Sequence, residues 1–337
     1  MAKRQSRERL GRSILGSSRR TEAQIVSAGP PWIGAHLSIA GGVDRAPQEA
    51  VRLGMNTFQV FTASPQIWPV RPGPGRARRS WGDPDVWQGS CVDADQAARF
   101  RQLVAQHGLY RPIAHSCYLV NLAASDRQLW GRSVAALVWE LRRAGQLGLT
   151  HVVVHPGAAT DGDEQQALVR VAEALNEVFR RRSNEDARLM LENTAGQGNC
   201  LGWRFDHLAR ILERLDDPDW VDVCIDTCHA FAAGYDLRTP EGWQQVKREL
   251  AATIGLEKIQ AWHTNDSKRE LGSRVDRHEH IGKGHLGINA FRWLLADPRF
   301  RQIPMYLETP KGRHGRRSWD EWNLRTLRKC AADPPET

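Results

Sequence analysis

The stretch from residue 150 to residue 194 contains THVVVHP at 150–156, DEQQALVRVAEALNEVFRRR at 163–182 and RLMLENT at 188–194. The first and third segments are short apolar runs that end in polar residues, which is typical of buried strands. The segment between them has the spacing of apolar residues expected of an amphipathic helix. A strand, a helix and a second strand in this order predict two parallel strands joined by a helix.

The same alternation covers the chain from residue 32 onwards and gives eight strand–helix units. The strand-like runs are IGAHLSI at 33–39, NTFQVFT at 56–62, PIAHSCY at 112–118, THVVVHP, RLMLENT, VDVCIDT at 221–227, KIQAWHT at 258–264 and PMYLET at 304–309. Eight such units predict an α/β fold, a single (β/α)8 TIM barrel over residues 30–331, with a short tail at 332–337. The working face of such a barrel is built by the loops that follow the strands.

Most of the net positive charge lies near the N-terminus, and the overall composition is that of an ordinary globular protein. Hydrophobic residues make up 41% of the 337 residues and charged residues 26%, and no apolar run approaches the ~18 residues that span a membrane. The net charge is +8, and residues 1–30 carry +5 of it through seven basic and two acidic residues. We interpret residues 1–29 as a disordered basic arm. The six cysteines contain no CxxC pair, which favours a reduced, cytoplasmic protein.

One segment interrupts the alternation. Residues 69–92, PVRPGPGRARRSWGDPDVWQGSCV, contain four arginines, two tryptophans and Gly-Pro repeats. The segment follows the second predicted strand, so it is an insertion in a loop of the working face. Two interpretations stay open: a floppy surface loop, or basic and aromatic residues that contact a nucleic acid backbone.

Histidines and carboxylates stand where the predicted strands three to eight end. They are His115, His155, Glu192, Asp226, His229, His263, Asp276, His278 and Glu308. Imidazole and carboxylate together suit zinc or manganese, and nine such residues favour a cluster of metals over one ion. Cys228 offers a less favoured thiolate ligand. Two interpretations of His36, His280 and His285 stay open. They are hydrogen-bonded core residues, or they are partners that orient the ligands.

The number of ligands and their charge indicate chemistry on a phosphodiester. A catalytic zinc usually takes three protein ligands and leaves one position open, so nine ligands with one shared carboxylate fill three sites. Metals roughly 3.5–4 Å apart can clamp both oxygens of a phosphoryl displacement. Three Zn²⁺ with four carboxylates leave about +2 in the pocket, whereas the metal-free pocket would repel a phosphodiester.

Several long motifs resemble the endonuclease IV family of apurinic/apyrimidinic (AP) endonucleases, from about Ile33 to about Arg328. They are IGAHLSIAGG at 33–42, HSCYLVNLA at 115–123, LENTAGQGNCLG at 191–202, CIDTCHAFAAGYDLRTP at 224–240, SRVDRHEHIGKG at 273–284 and LETPK at 307–311. The resemblance implies a TIM barrel with a trinuclear zinc site, that is, three Zn²⁺ per chain.

The resemblance also assigns ligands to each zinc. The first would be held by His115, His155 and Glu192, the second by Glu192, Asp226, His263 and Glu308, and the third by His229, Asp276 and His278. Glu192 would be the catalytic residue, because it would bridge two metals and orient the attacking hydroxide.

The implied substrate is double-stranded DNA that contains an abasic site. Members of the family bend the duplex, flip the abasic nucleotide out and cleave the phosphodiester on its 5′ side. They leave a 3′-hydroxyl and a 5′-deoxyribose phosphate, and they also clean blocked 3′ ends. Tyr118 and Leu119 match residues that wedge into the DNA, and Asn265 and Asp266 match polar residues near the metals.

This chain departs from the family at Gln66, where the family often has an arginine that inserts opposite the lesion. We hypothesise that Arg76, Arg78 and Arg79 of the insertion make up for Gln66 by gripping the DNA backbone. We expect a monomer, because DNA must reach an open barrel face, and no membrane association.

Two other functions remain open. A sugar isomerase or epimerase has the same type of barrel, but typically needs only one or two Mg²⁺ or Mn²⁺, so the third group argues against it. A protein that binds the lesion without cleaving it is the second alternative, and the intact Glu192 argues against that.

Overall fold

The computed structural model describes residues 31–75, 80, 82–183, 186–333 and 335. Eight parallel strands form a closed barrel in chain order, since each pairs with the next and the last pairs with the first. They are β1 Ile33–Leu37, β2 Gln59–Phe61, β3 Ile113–His115, β4 His151–Val154, β5 Arg188–Glu192, β6 Val221–Asp226, β7 Ile259–His263 and β8 Met305–Leu307. Each predicted strand is found, and the predicted TIM barrel is confirmed.

Helices cover the outside of the barrel and connect its strands. In the described ranges they are α1 Arg45–Arg52, α2 Ala94–Gln106, α3 Arg127–Gln146, α4 Glu164–Arg181, α5 Phe205–Leu212, α6 Thr227–Ala233, α7 Pro240–Thr253, α8 Ile288–Ala296 and α9 Trp319–Ala332. Local sequence sets their starts: the Asp126 carboxylate accepts the N–H of Leu129 at 2.7 Å to cap α3. Across the described residues, no helix combines the length and the apolarity that a membrane crossing requires.

The core has two layers. The inner layer fills the barrel and consists of the buried side chains of Ile113, Val153, Met190, Cys224, Ala261 and Tyr306. The outer layer packs the strands against the helices and includes fully buried rings such as Phe58, Phe100 and Phe205. Burying such a side chain contributes roughly 1.5–3 kcal/mol to the free energy of folding. The packed barrel therefore holds the residues at its open end in fixed positions.

Several short elements were not predicted from the sequence. Helix α6 follows β6 without a loop, and two-residue strands form hairpins at Asp266–Ser267 with His278–Glu279 and at Arg313–His314 with Arg317–Ser318. Seven residues in α6 and two in each hairpin strand are too few to show a helical or alternating period.

The ends of the 69–92 segment are folded. Val70–Pro72 pairs antiparallel with Trp87–Gly89, and the Arg132 guanidinium of α3 lies 4.4 Å from the ring centroid of Trp68 and 4.7 Å from that of Trp87. Such cation–π contacts stabilise the hairpin against α3. The interpretation as a floppy loop is therefore wrong for these ends.

Some sequence predictions concern other parts of the chain. The predicted arm at residues 1–29 lies outside the described residues, and so do Arg76, Arg78 and Arg79. At the other end, α9 continues to Ala332, which is the first residue of the predicted tail.

Candidate metal centre

Six of the nine predicted ligands occupy equivalent positions at the carboxyl ends of six neighbouring strands, where His155 and Glu308 directly follow the last residues of β4 and β8. Each lies two residues after a member of the inner layer and points into the barrel as that member does, because side chains alternate along a strand. The pairs are Ile113 with His115, Val153 with His155, Met190 with Glu192, Cys224 with Asp226, Ala261 with His263, and Tyr306 with Glu308. The apolar layer closes the barrel, and the polar layer forms the floor of its open end.

The other three predicted ligands lie further from the strand ends. His229 lies in α6, and the Asp226 carboxylate caps this helix by accepting the N–H of His229 at 2.8 Å. Asp276 and His278 come from the segment after β7 that ends in a hairpin. Among the described residues, the nine side chains fall into three groups, and within each group the ligand atoms lie within 4.8 Å of one another. We call these nine residues the nine-residue centre.

Glu192 belongs to two of these groups. Its Oε2 lies 3.2 Å from His115 Nε2 and 3.1 Å from His155 Nε2, and its Oε1 lies 2.7 Å from His263 Nδ1. The first group is completed by these two histidines, and the second contains His263, Asp226 and Glu308. A carboxylate with one oxygen turned to each group is suited to bridging two metal ions, since both oxygens have free lone pairs.

The third group consists of His229, Asp276 and His278. Asp276 Oδ2 lies 3.3 Å from His229 Nε2, and its Oδ1 lies 3.3 Å from His278 Nε2. The Nδ1–H of His229 donates to Asn193 O at 2.9 Å, and that of His278 donates to Glu308 O at 3.2 Å. Because a carbonyl only accepts, these bonds fix the ring proton on Nδ1 and leave Nε2 for a metal.

Burial and charge oppose each other in the centre. Burial alone would raise the pKa of Glu192, but the imidazoles of His263 and His155 lower it well below its ordinary value. Burial alone would lower the pKa of His263, but Cys224 and Glu192 raise it well above the ordinary value. The pKa of His229 is likewise raised by neighbouring carboxylates against the effect of burial. Imidazolium protons thus balance the carboxylates, and a bound metal would displace these protons.

The donor atoms fit zinc. Each of the three groups offers only imidazole nitrogens and carboxylate oxygens, the donors that zinc takes in catalytic sites. His278 Nε2 is buried without a hydrogen-bond partner among the described residues, and a metal ion would satisfy it. A fourth grouping of Asp226, Cys228 and His278 contains the thiol that the sequence suggested as an alternative ligand. Burial raises the pKa of Cys228 to about 12, so its thiolate, the form that binds metals, is disfavoured.

Two buried amides orient the ligands. Gln59 Oε1 accepts the Nε2–H of His263 at 2.8 Å, while Gln59 Nε2 donates to Glu308 Oε1 at 2.6 Å. Asn265 Nδ2 donates to Asp226 Oδ2 at 2.6 Å, so it contacts one of the predicted ligands directly. Sequence reasoning missed Gln59, although a lone polar residue inside the apolar run FQVF at 58–61 was a signal for it.

The three histidines that were not counted among the nine predicted ligands lie outside the three groups. His36 Nδ1 accepts a hydrogen bond from Gln59 at 3.0 Å, so it supports the ligands indirectly. His280 is buried and stacks on Trp319 with ring centroids 3.6 Å apart. His285 is exposed.

The residues predicted to wedge into DNA stand at the edge of the centre. A cavity of about 310 Å³ is lined by Tyr118 and Leu119 together with ligands of the first and third groups. The Tyr118 side chain is 66% exposed, and so is that of Ile67. Tyr118 lies in the loop after β3, and Ile67 lies in the loop after β2. The two loops are in contact, because the Tyr118 N–H donates to Pro65 O at 3.1 Å. Gln66, which precedes Ile67, is exposed. Ile67 was not singled out from the sequence, where a single apolar loop residue gives no signal.

Comparison with known proteins places the chain among close relatives. Residues 47–330 match the family model described as a xylose isomerase-like TIM barrel. The chain is 40% identical over 298 residues to a protein of Chloroflexus aurantiacus named probable endonuclease 4, covering 88% of this chain and 97% of the relative. The solved structure of endonuclease IV from Thermus thermophilus superposes with a TM-score of 0.74 at 37% identity, covering 90% and 99% of the two chains. A D-tagatose 3-epimerase-like protein shares the fold at 16% identity with a TM-score of 0.60, covering 89% and 94%.

Proposed function

The chain belongs to the endonuclease IV family of AP endonucleases and is a hydrolytic nuclease, and from this premise we propose that it incises duplex DNA at abasic sites with three zinc ions held by the nine-residue centre. Incision occurs on the 5′ side of the lesion and leaves a 3′-hydroxyl and a 5′-deoxyribose phosphate. The same centre removes blocking groups from 3′ ends, because both reactions hydrolyse a phosphoester next to a 3′ oxygen.

One observation carries this proposal: Glu192, buried at the centre, turns Oε2 towards His115 and His155 and Oε1 towards His263. Bound zinc would supply positive charge for the phosphate oxygens and lower the pKa of a water. The residues of the chain fix the geometry. Because Glu192 is held by imidazoles on both of its oxygens, it has one position from which to orient the attacking water.

The reaction is a hydrolysis with balanced bonds. The water oxygen forms a bond to phosphorus, the bond from phosphorus to the 3′ oxygen breaks, and a water proton ends on that 3′ oxygen. The phosphate stays on the 5′ side of the abasic sugar. In this proposal Tyr118, which is exposed, enters the base stack with Leu119 and Gln66 while the abasic nucleotide is flipped out. Flipping costs least where no base pairs or stacks.

The test is incubation of zinc-loaded protein with a duplex that carries a single abasic site. We expect the wild type to incise on the 5′ side of that site. We expect Glu192→Gln to lose more than about 100-fold in rate, since even residues that only support a metal ligand typically cost 10–100-fold. An exposed-site control, Glu241→Gln at the start of α7, should match the wild type. Binding without incision by the zinc-loaded wild type would favour a lesion-binding protein instead.

A sugar epimerase is the second candidate function. Its only support is the barrel fold, which the D-tagatose 3-epimerase-like protein shares at 16% identity. The discriminating feature is the third group, His229 with Asp276 and His278, because one or two Mg²⁺ or Mn²⁺ would leave these ligands without an ion. Epimerisation of a ketohexose by the manganese-loaded protein, with no incision of abasic DNA, would support that candidate.

A further inference from the structure

A second cavity lies beside the metal centre and is strongly basic. It has a volume of about 400 Å³ and is lined by Lys268, Arg269, Arg277, Glu279, Lys283 and His285. We call these residues the basic pocket. Four of the six are permanent cations and one is a carboxylate, so the pocket attracts anions.

Most of this positive charge is not neutralised by the protein. Lys268 Nζ lies 4.0 Å from Glu279 Oε2, but within the described part of the chain Arg269, Arg277 and Lys283 form no ion pair with a carboxylate. All four cations are exposed. Cations that lie together without counter-charges repel one another, and a bound anion relieves this repulsion.

The backbone under the basic pocket is held in place by Asp266. Its buried carboxylate accepts the N–H groups of Ser267 at 2.7 Å, Gly284 at 3.0 Å and Leu286 at 3.0 Å. These bonds clamp the segment that carries Lys268 and Arg269 against the segment that carries Lys283 and His285. Gly284 permits the contact, because a Cβ there would lie 2.2 Å from Ser267 O. The backbone that carries the basic pocket is thus held in a fixed arrangement.

The basic pocket adjoins the proposed site of cleavage. Arg277 stands between the ligands Asp276 and His278 in sequence, and it lines both the basic pocket and the cavity of the metal centre. Its Nη1 donates to Asp276 O at 2.6 Å. A nucleic acid strand that leaves the metal centre over Arg277 therefore reaches the basic pocket next.

We propose that the basic pocket binds a backbone phosphate of the DNA strand that flanks the scissile phosphodiester. The proposal rests on the proposed function of the neighbouring centre. It adds a second contact between the protein and the DNA, at a phosphate that does not react. Phosphate contacts of this kind fix the register of a duplex and do not depend on its sequence.

The test compares two variants in which the same amount of positive charge is removed. In the first, Lys268, Arg269 and Lys283 are changed to Gln. In the control, three exposed cations outside both cavities are changed to Gln: Arg248 on α7, Arg299 between α8 and β8, and Lys329 on α9. We expect the first variant to bind abasic duplex about 10-fold more weakly and to flatten the plot of log K against log salt by about 0.9 for each phosphate that the protein no longer neutralises. The control should keep the wild-type slope, and the single variant Lys283→Glu should weaken binding if the triple variant does not fold.

A substrate series locates the bound phosphate. Each phosphate near the lesion is replaced in turn by a neutral methylphosphonate, and binding is measured for the wild type and the triple variant. We expect one flanking position at which the replacement weakens binding by the wild type but not by the variant, because the two changes remove the same interaction. Equal salt slopes for variant and control, or no such position, would overturn the proposal. Failure of the wild type to incise abasic DNA would instead refute the proposed function, which is measured separately in the same samples.

Discussion

Gln59 of β2 and His263 of β7 lie on strands that do not pair with each other, yet Gln59 Oε1 accepts the Nε2–H of His263 at 2.8 Å. This bond holds the His263 proton on Nε2 and leaves Nδ1, 2.7 Å from Glu192 Oε1, as the atom for a metal. A partner that sets the tautomer of a ligand is a determinant of metal affinity.

Removal of this partner should weaken zinc binding. We predict that Gln59→Ala and Gln59→Met lower the affinity of the second group for zinc by about 10–100-fold, as measured by competition with a chromophoric chelator. Gln59→Met keeps the volume of the buried side chain, so it separates the effect of the missing hydrogen bonds from that of a cavity. Gln245→Ala, at an exposed position on α7, is the control. Wild-type affinity in both Gln59 variants would show that His263 does not need this bond.

The exposed apolar side chains at the edge of the centre should contribute to DNA binding and not to folding. Tyr118 and Ile67 are each 66% exposed, so their truncation removes little burial. Stacking of one base on an aromatic side chain is worth about 1–3 kcal/mol, and we therefore predict that Tyr118→Ala weakens binding of abasic duplex by about 5–150-fold. Ile67→Ser should weaken it less, and Val51→Ser, 37% exposed on α1, should not.

Thermal unfolding provides the check on this prediction. The Tyr118→Ala and Ile67→Ser variants should keep the melting temperature of the wild type to within a few degrees, because surface substitutions change stability by about 0.5 kcal/mol or less. Lowered melting temperatures with unchanged DNA affinity would assign both side chains to packing instead.

Zinc affinity should depend on pH in a defined direction. Neighbouring carboxylates raise the pKa of His229, and Cys224 with Glu192 raises that of His263, in both cases against the effect of burial. A raised pKa means that these rings keep a proton at a pH where an ordinary histidine has released it, and a metal must displace that proton. We predict that zinc binding releases protons and weakens as pH falls below the raised pKa values. Calorimetry in buffers of different ionisation enthalpy measures the protons released, and a pH-independent affinity would contradict this account.

The sequence predicted the strands, and it placed six of the nine candidate ligands at the ends of those strands, for a physical reason. A polar residue two positions after a buried one is a local pattern, and Met190 with Glu192 or Cys224 with Asp226 can be recognised within a few residues of the chain. The chemistry of the donors was also visible, because it depends on residue type and not on distance. The barrel then brings these positions together, since parallel strands end at one face.

The features that the sequence did not reveal depend on contacts between distant segments. Gln59 and His263 are 204 residues apart, and no local period relates them. The basic pocket has no signature in the sequence, because Lys268 and Lys283 are brought together by contacts between separate segments, such as the bonds of the buried Asp266 carboxylate to Ser267 and Gly284. The hairpin ends of the 69–92 segment are stabilised by Arg132, which the Gly-Pro composition of that segment does not reflect.

The central claim, that the nine-residue centre holds three zinc ions, is tested most directly by elemental analysis of the native protein. We predict about three zinc ions per chain, falling to about two when Asp276 and His278 are both changed to Ala. Protein that contains no zinc, or only one or two magnesium or manganese ions per chain, would contradict the claim.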